Sequence, residues 1–240
     1  PLWSPRLGFR YDVLGNHAVV VRGGVGIFTG RIPFVWISNS FSNTGVAQFN
    51  YDTGSGKGGD KTFLVNQGTI MQNVPSTSQG APAFAAQTIN VFDKDFKFSQ
   101  SLRADLAVDV VGPLGIKWTV EGIYSKTLND MIVKKLNIEA TGKTWAETNG
   151  FDFDNRPMFS TMASTPNILY LDNVSKGYSY NVSIKAEKNF DFGLDLMASY
   201  TYGHSETVNN GSSSVAASNF QYNYTHKNPN AAELEVSNFD

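Results

Sequence analysis

Read in steps of two, six stretches of this chain sort their residues into an uncharged set and a charged one. The uncharged positions are alternate residues of 7–13, 19–27, 102–110, 116–124, 178–186 and 194–202, nearly all Val, Leu, Ile, Ala, Gly, Phe, Tyr or Trp. The positions between them carry Arg10, Asp12, Arg22, Arg103, Asp105, Asp109, Lys117, Glu121, Lys185, Glu187 and Asp195. A period of two is the signature of a β-strand, whose successive side chains leave opposite faces of the sheet. An Arg or Lys facing hydrocarbon at mid-bilayer costs about 2–4 kcal/mol, whereas in a watery lumen it costs little. The pattern therefore predicts strands with one face in lipid and the other in water.

The strands fall into hairpins, at about 6–28, 101–126 and 177–204, each closed by a short turn. Between them lie long polar excursions at about 29–98, 127–176 and 205–240, rich in Gly, Ser and Asn. Short turns at one end and long loops at the other predict an all-β chain forming part of a transmembrane barrel. The turns would be periplasmic and the loops extracellular. Tyr124, Tyr178, Tyr180, Tyr200 and Tyr202 stand toward the long-loop ends, and Tyr11, Trp118, Phe190 and Phe192 toward the short turns. Two aromatic bands match the interfacial girdles of a barrel. Arg10, Arg22, Arg103, Asp105, Asp109, Lys117 and Glu121 are then expected to face the lumen. The alternative is a soluble secreted β-domain that binds glycan or protein through its long loops, since sandwiches alternate as well. Its turn signals, however, should recur at both ends.

Composition narrows the picture by exclusion. The chain has 240 residues, 17% charged, with a net charge of −2, no cysteine and a mean hydropathy of −0.24. No apolar run is long enough for a membrane helix, a test that β-barrels evade because half of each strand is polar. Near-neutral charge without a basic stripe argues against a nucleic-acid partner. The absence of cysteine excludes disulfides and thiolate metal sites. The chain opens at Pro1 without an initiator methionine and ends in what resembles the approach to another strand, so a piece of a larger protein is expected.

Five passages carry a family resemblance: WSPRLGFRYDVLG (3–15), VVVRGGVGIFTGRIPFVWISNSFSNTG (19–45), SLRADLAVDVVGPLGIKWTVEGIYSKTLNDM (101–131), GYSYNVSIKAEKNFDFGLDLMASYTYGHSE (177–206) and NPNAAELEVSNFD (228–240). Strand sequence and the loop phrase GRIPFVW occur together. The chain resembles the barrel portion of TonB-dependent outer-membrane receptors of the Bacteroidetes type, especially the Oar-like group. The resemblance implies a Gram-negative outer-membrane barrel of about 22 strands with a plugged lumen. It also implies a solute bound at the cell surface and energy delivered by the TonB, ExbB and ExbD proteins. The plug and the TonB-contacting segment lie N-terminal to the barrel in such receptors, outside this chain. Some relatives pair with a surface lipoprotein.

Candidate chemistry is sparse. Gly23, Gly24, Gly26 and Gly30 follow one another without GxGxxG spacing or a helix to receive a phosphate, so bending or close backbone approach is the simpler account. Gly54 to Gly59 resembles half a P-loop but lacks the following Ser or Thr. Asp152 and Asp154, with Asn155, are a weak Ca²⁺ candidate, short of the twelve-residue loop pattern. His17, His204 and His226 are dispersed, and no catalytic constellation is recognisable, so neither enzymatic activity nor a cofactor is expected. The candidate binding surface is the first long loop, where Arg31, Phe34, Trp36 and Asn39 combine aromatics with polar tips. Trp145 in the second loop is a weaker candidate. Packing of the same segment against the barrel rim is the structural alternative.

Overall fold

A computed structural model describes residues 2–44, 88–150, 153–162, 167–223, 227–238 and 240. In chain order the elements are β1 (Arg6–Asp12), β2 (Val19–Thr29), α1 (Phe34–Ser42), β3 (Thr88–Phe92), β4 (Gln100–Val111), β5 (Lys117–Lys135) and β6 (Ile138–Thr144). They continue with α2 (Trp145–Asn149), β7 (Pro157–Thr161), β8 (Asn167–Val174), β9 (Tyr178–Asn189), β10 (Asp195–Thr207), α3 (Ala216–Tyr222) and β11 (Glu235–Val236). The six alternating stretches of the sequence are β1, β2, β4, β5, β9 and β10. They form one open antiparallel sheet in the order β1-β2-β4-β5-β9-β10, with β11 beginning to pair at the outer end of β10.

The pairing register tests the face assignment. Tyr11 stands opposite Val21, then Val108, Val120, Ile184 and Tyr200 on successive strands. The next row outward is Phe9, Gly23, Leu106, Gly122, Val182 and Tyr202. Alternations set strand by strand thus merge into one continuous apolar face, because directly opposed residues share a face. Phe9, Leu106 and Leu196 are each 54% exposed, with no second layer over them among the described residues. Burying such a face in water would require a partner sheet; in lipid it requires none.

The apolar band runs obliquely to the hydrogen-bonded rows. The row through Leu7, Val25, Ala104, Tyr124 and Tyr180 ends at His204, and on β10 the apolar positions lie lower, from Leu194 to Tyr202. Strands tilted to the barrel axis produce this offset, since rows perpendicular to the strands then climb through the membrane. At the short-turn end Lys188 lies on the apolar side, and its ammonium group reaches the Leu114 carbonyl and the Phe190 ring, 5.4 Å away. Such snorkelling keeps the charge at the interface while the stem stays in oil.

The three turns are short and closed. Val13 N–H donates to the Val19 carbonyl (2.9 Å), Gly112 N–H to Ile116 (2.8 Å) and Phe190 N–H to Leu194 (2.8 Å). Gly193, at φ 91°, supplies the left-handed residue the last of these needs. Gly23 has a different reason: an added Cβ would lie 2.6 Å from the Asp105 carbonyl. The neighbouring strand β4 is the close backbone there.

The excursions at the other end are not structureless where they are described. β5 runs on past its pairing with β9, and its last six residues, from Asp130 to Lys135, pair antiparallel with β8, which pairs parallel with β3. Helices α1 and α3 pack here. Ile32, Trp36, Met131, Val133, Leu169, Leu171 and Ala216 form a buried cluster, with Phe92, Phe96 and Phe220 against it. All three long connections therefore contribute to one small hydrophobic lobe. A separate hairpin, β6 with β7, carries α2, whose N-terminus is closed by a capping box between Thr144 and Glu147.

Candidate functional site

The charged face of the sheet is organised around Arg22. Its Nε is 3.3 Å from Asp109 and its Nη1 3.2 Å from Glu121, and the Thr119 hydroxyl donates to Asp109 at 2.7 Å. Arg22, Ala107 and Glu121 occupy one row across β2, β4 and β5. The small methyl of Ala107, fully buried, lets the ion pair pass over β4. Along the same face Lys185 pairs with Glu187 at 3.1 Å, and Lys117 stands opposite Glu187 in the ladder. Arg10 stands opposite Arg22, and Asp105 stands opposite Gly24. All seven predicted lumen residues thus lie on the side opposite the apolar band.

Toward the long-loop end this face hollows into two recesses that share Thr127. One, of about 270 Å³, is lined by Phe28, Ser99, Gln100, Ser101, Arg103, Asn129 and Asp130 among others. The ladder between β4 and β5 shifts register there, at Gln100 and Ser101. Gln100 is buried and uses its whole amide: Nε2 donates to the Trp3 carbonyl (3.1 Å) and Thr29 Oγ1 (3.0 Å), and Oε1 accepts from Asn129 (3.2 Å). Arg6 and Arg103 lie against the Phe28 ring, at 4.4 and 5.7 Å. Asp130, above the spanning part of β5, is pushed up from the usual carboxylate value by burial, although Ser99 Oγ (3.2 Å) and Met131 N–H (2.8 Å) donate to it.

The second recess, of about 250 Å³, contains almost only hydroxyls and amides: Ser125, Ser179, Ser205, Thr207, Asn209, Asn210 and Ser237, with Tyr178 and Glu206. Neither recess was named from the sequence. The signal present was a Ser or Thr at every second position near the strand ends, which alternation alone assigns to a wet face without gathering it into a site.

The predicted loop residues separate. Arg31 is exposed and Phe34 is 65% exposed, but Trp36, at 5%, is in the lobe core. Trp36 therefore holds α1 against β5 and β8 rather than facing solvent, which is the structural alternative for that side chain. Asn39 is half-buried, and its carbonyl accepts from Asn43 at 2.7 Å. Trp145 opens α2, on the β6–β7 hairpin, and is 41% exposed.

Asp152 and the 54–59 loop lie outside the described residues. Asp154 is held by Arg156 through Nε (2.8 Å) and Nη2 (2.6 Å), and that guanidinium keeps its carboxyl below the usual range. The bidentate cation occupies the oxygens a Ca²⁺ ion would use. Among the described residues no group of His, Asp and Glu is placed to hold a metal. His17 sits in the first turn, 2.8 Å from Asp12. His204, at the outer end of β10, lies between Asp240 (3.1 Å) and Glu206 (3.4 Å), each on a different ring nitrogen. His226 is outside the described residues.

The decisive likeness covers nearly the whole chain: the family model described as an outer membrane beta barrel domain matches residues 2–240. The chain belongs to that family. No curated protein matches it. Membership places the protein in the outer membrane and sets aside the soluble β-domain; in a bilayer the uncharged Phe9 and Leu196 face is the one that can meet lipid at little cost, and the Arg22 face is not. For an outer membrane beta barrel domain the open sheet is part of the wall, because unpaired strand edges do not occur in hydrocarbon.

Proposed function

We propose that this barrel domain belongs to an energy-coupled transport receptor of the TonB-dependent, Oar-like type found in Bacteroidetes. In this reading it is the section of a wall of about 22 strands that lines the solute path. The observation that carries the reading is the placement of two recesses, one of them lined almost wholly by hydroxyls and amides, on the charged face beside a packed outer lobe. Solute would meet the lobe and recesses first. The lumen charges would hold water and the plug supplied by the N-terminal part of such receptors. The five sequence passages support the same reading, and a surface lipoprotein partner is compatible with the exposed Phe34 and Trp145. The chemistry proposed is binding and passage with no bond made or broken; Arg22 with Asp109 and Glu121, and Lys185 with Glu187, are ion pairs of the wall.

The test is uptake by whole cells expressing the full-length protein. Expected is accumulation of its solute that stops when a protonophore collapses the inner-membrane gradient, while binding at the cell surface persists. Passage that continues undiminished without the gradient would mean a passive pore and would end the receptor reading.

A further inference from the structure

Among the described residues, Lys188 is the only cation on the apolar face of the strands at the short-turn end. Its chain neighbour Glu187 points to the wet face, where Lys185 holds it at 3.1 Å, and no carboxylate among the described residues pairs with Lys188. The opposite rim is different: His204, on the same face, lies between two carboxylates of its own chain, Glu206 and Asp240. The counter-charge for Lys188 must therefore come from outside the chain.

The ammonium group is fixed where it stands. It donates to the Leu114 carbonyl, in the turn between β4 and β5, and rests 5.4 Å from the Phe190 ring, at the turn between β9 and β10. An ammonium has three donors, so capacity remains. Leu114 is held at φ 62°, a conformation Gly or Asn takes at less cost, and its side chain is exposed at the tip. An apolar chain is what that position gains. Phe192 is exposed as well, 5.3 Å from Phe190. One row further from the turns, Trp118, Ala186 and Ala198 stand side by side, so two methyl groups and an exposed indole border the stem of Lys188 on the oil side.

We propose that Lys188 holds the phosphodiester head group of one membrane phospholipid, with the glycerol and first methylenes against Trp118, Ala186 and Ala198. Phosphodiesters are the anions a bilayer supplies at the depth where hydrocarbon ends, and a snorkelling cation reaches that depth. A free phosphate would meet the ammonium but leave the apolar surroundings unused. The inference needs only the barrel's place in the membrane and stands whichever solute passes.

The test uses the full-length protein, purified in detergent and stripped of lipid, with three probes followed by native mass spectrometry: dioleoylphosphatidylglycerol, the diacylglycerol with the same tails, and inorganic phosphate. The wild type is expected to retain the phospholipid at least tenfold more tightly than either of the others. Lys188→Met keeps the stem and removes the charge. It is expected to lower phospholipid affinity by roughly 10-fold or more, as for loss of one charge-assisted hydrogen bond. Lys185→Met, on the wet face of the same strand, should leave that affinity unchanged. Should Lys188→Met fail to assemble, the three probes on the wild type still decide. No retained phospholipid, diacylglycerol or inorganic phosphate held as tightly, or unchanged affinity in Lys188→Met would overturn the assignment.

Discussion

Beside the β3–β8 ladder, one side-chain hydrogen bond ties β8 to the residue that follows β3. The Tyr170 hydroxyl donates to Asp93, and the contact holds the Asp93 carboxyl below its ordinary value of 3.8 while it raises the Tyr170 hydroxyl to about 12. Because the folded value for Asp93 is the lower one, its stabilisation is full above 3.8 and is lost as pH falls through the lowered value. For Tyr170 the sign is opposite: stabilisation is full below 10 and is lost as pH rises toward about 12. Protection of the Phe92 and Leu171 amides, taken relative to intrinsic exchange, should therefore fall as pH drops below 3.8 in the wild type. The acid step should shrink in Tyr170→Phe. An identical profile in that variant would show that the contact contributes nothing. At this scale sequence reading was weakest, because partners such as Asp93 and Tyr170, or Trp36 and Leu171, come from different loops and no local pattern links them.

At the scale of the strand, alternation was nearly sufficient. The positions named from the sequence became one apolar face because a period of two leaves only two choices per strand, and a slip by one residue would have turned every charge into lipid. Val108→Arg, on the apolar face, should cost up to about 2–4 kcal/mol and block the heat-sensitive folded band on gels, whereas Leu196→Arg, opposite Lys188 near the interface, should cost about 0–1 kcal/mol. Asp105→Arg, on the wet face, should assemble close to normally. Equal behaviour of Val108→Arg and Asp105→Arg would show that the face assignment is wrong. What alternation could not deliver was the outer end of β5, nor β3 and β8. In β5 the successive residues Met131, Ile132 and Val133 are all buried, so the run loses its period, while in β8 the alternation of buried Leu169 and Leu171 with Tyr170 and Asp172 is too short to stand out in a long connection. The helices α1 and α3 were likewise invisible, each too short to show a full amphipathic repeat.

Across the whole molecule, two bodies with different solvents share the strand β5. The wall is stabilised by ladder hydrogen bonds and lipid, and the lobe by its own hydrophobic cluster in water. Leu171→Ala, at a position with no exposure, should cost the lobe about 2–5 kcal/mol. The lobe should become protease-sensitive from outside the cell while the heat-modifiable barrel persists. Loss of both together would mean that lobe and wall fold as one unit. The same division explains the fate of the candidate binding residues: a loop that must build its own core turns some aromatics inward, Trp36 among them, and leaves others, Phe34 among them, outside.

By itself the sequence determined which side of each spanning strand meets oil, because charge in hydrocarbon is costly enough to be written at every second residue. It also determined which end carries the turns. Only the tertiary structure decided how the strands align, and therefore that Lys188 meets the Leu114 carbonyl of another turn and that Arg22 reaches Glu121 over Ala107. It alone decided that three distant loops close on one core. Register and packing depend on residues far apart in the chain meeting in space, and a pattern with a period of two carries no record of which strand stands beside which.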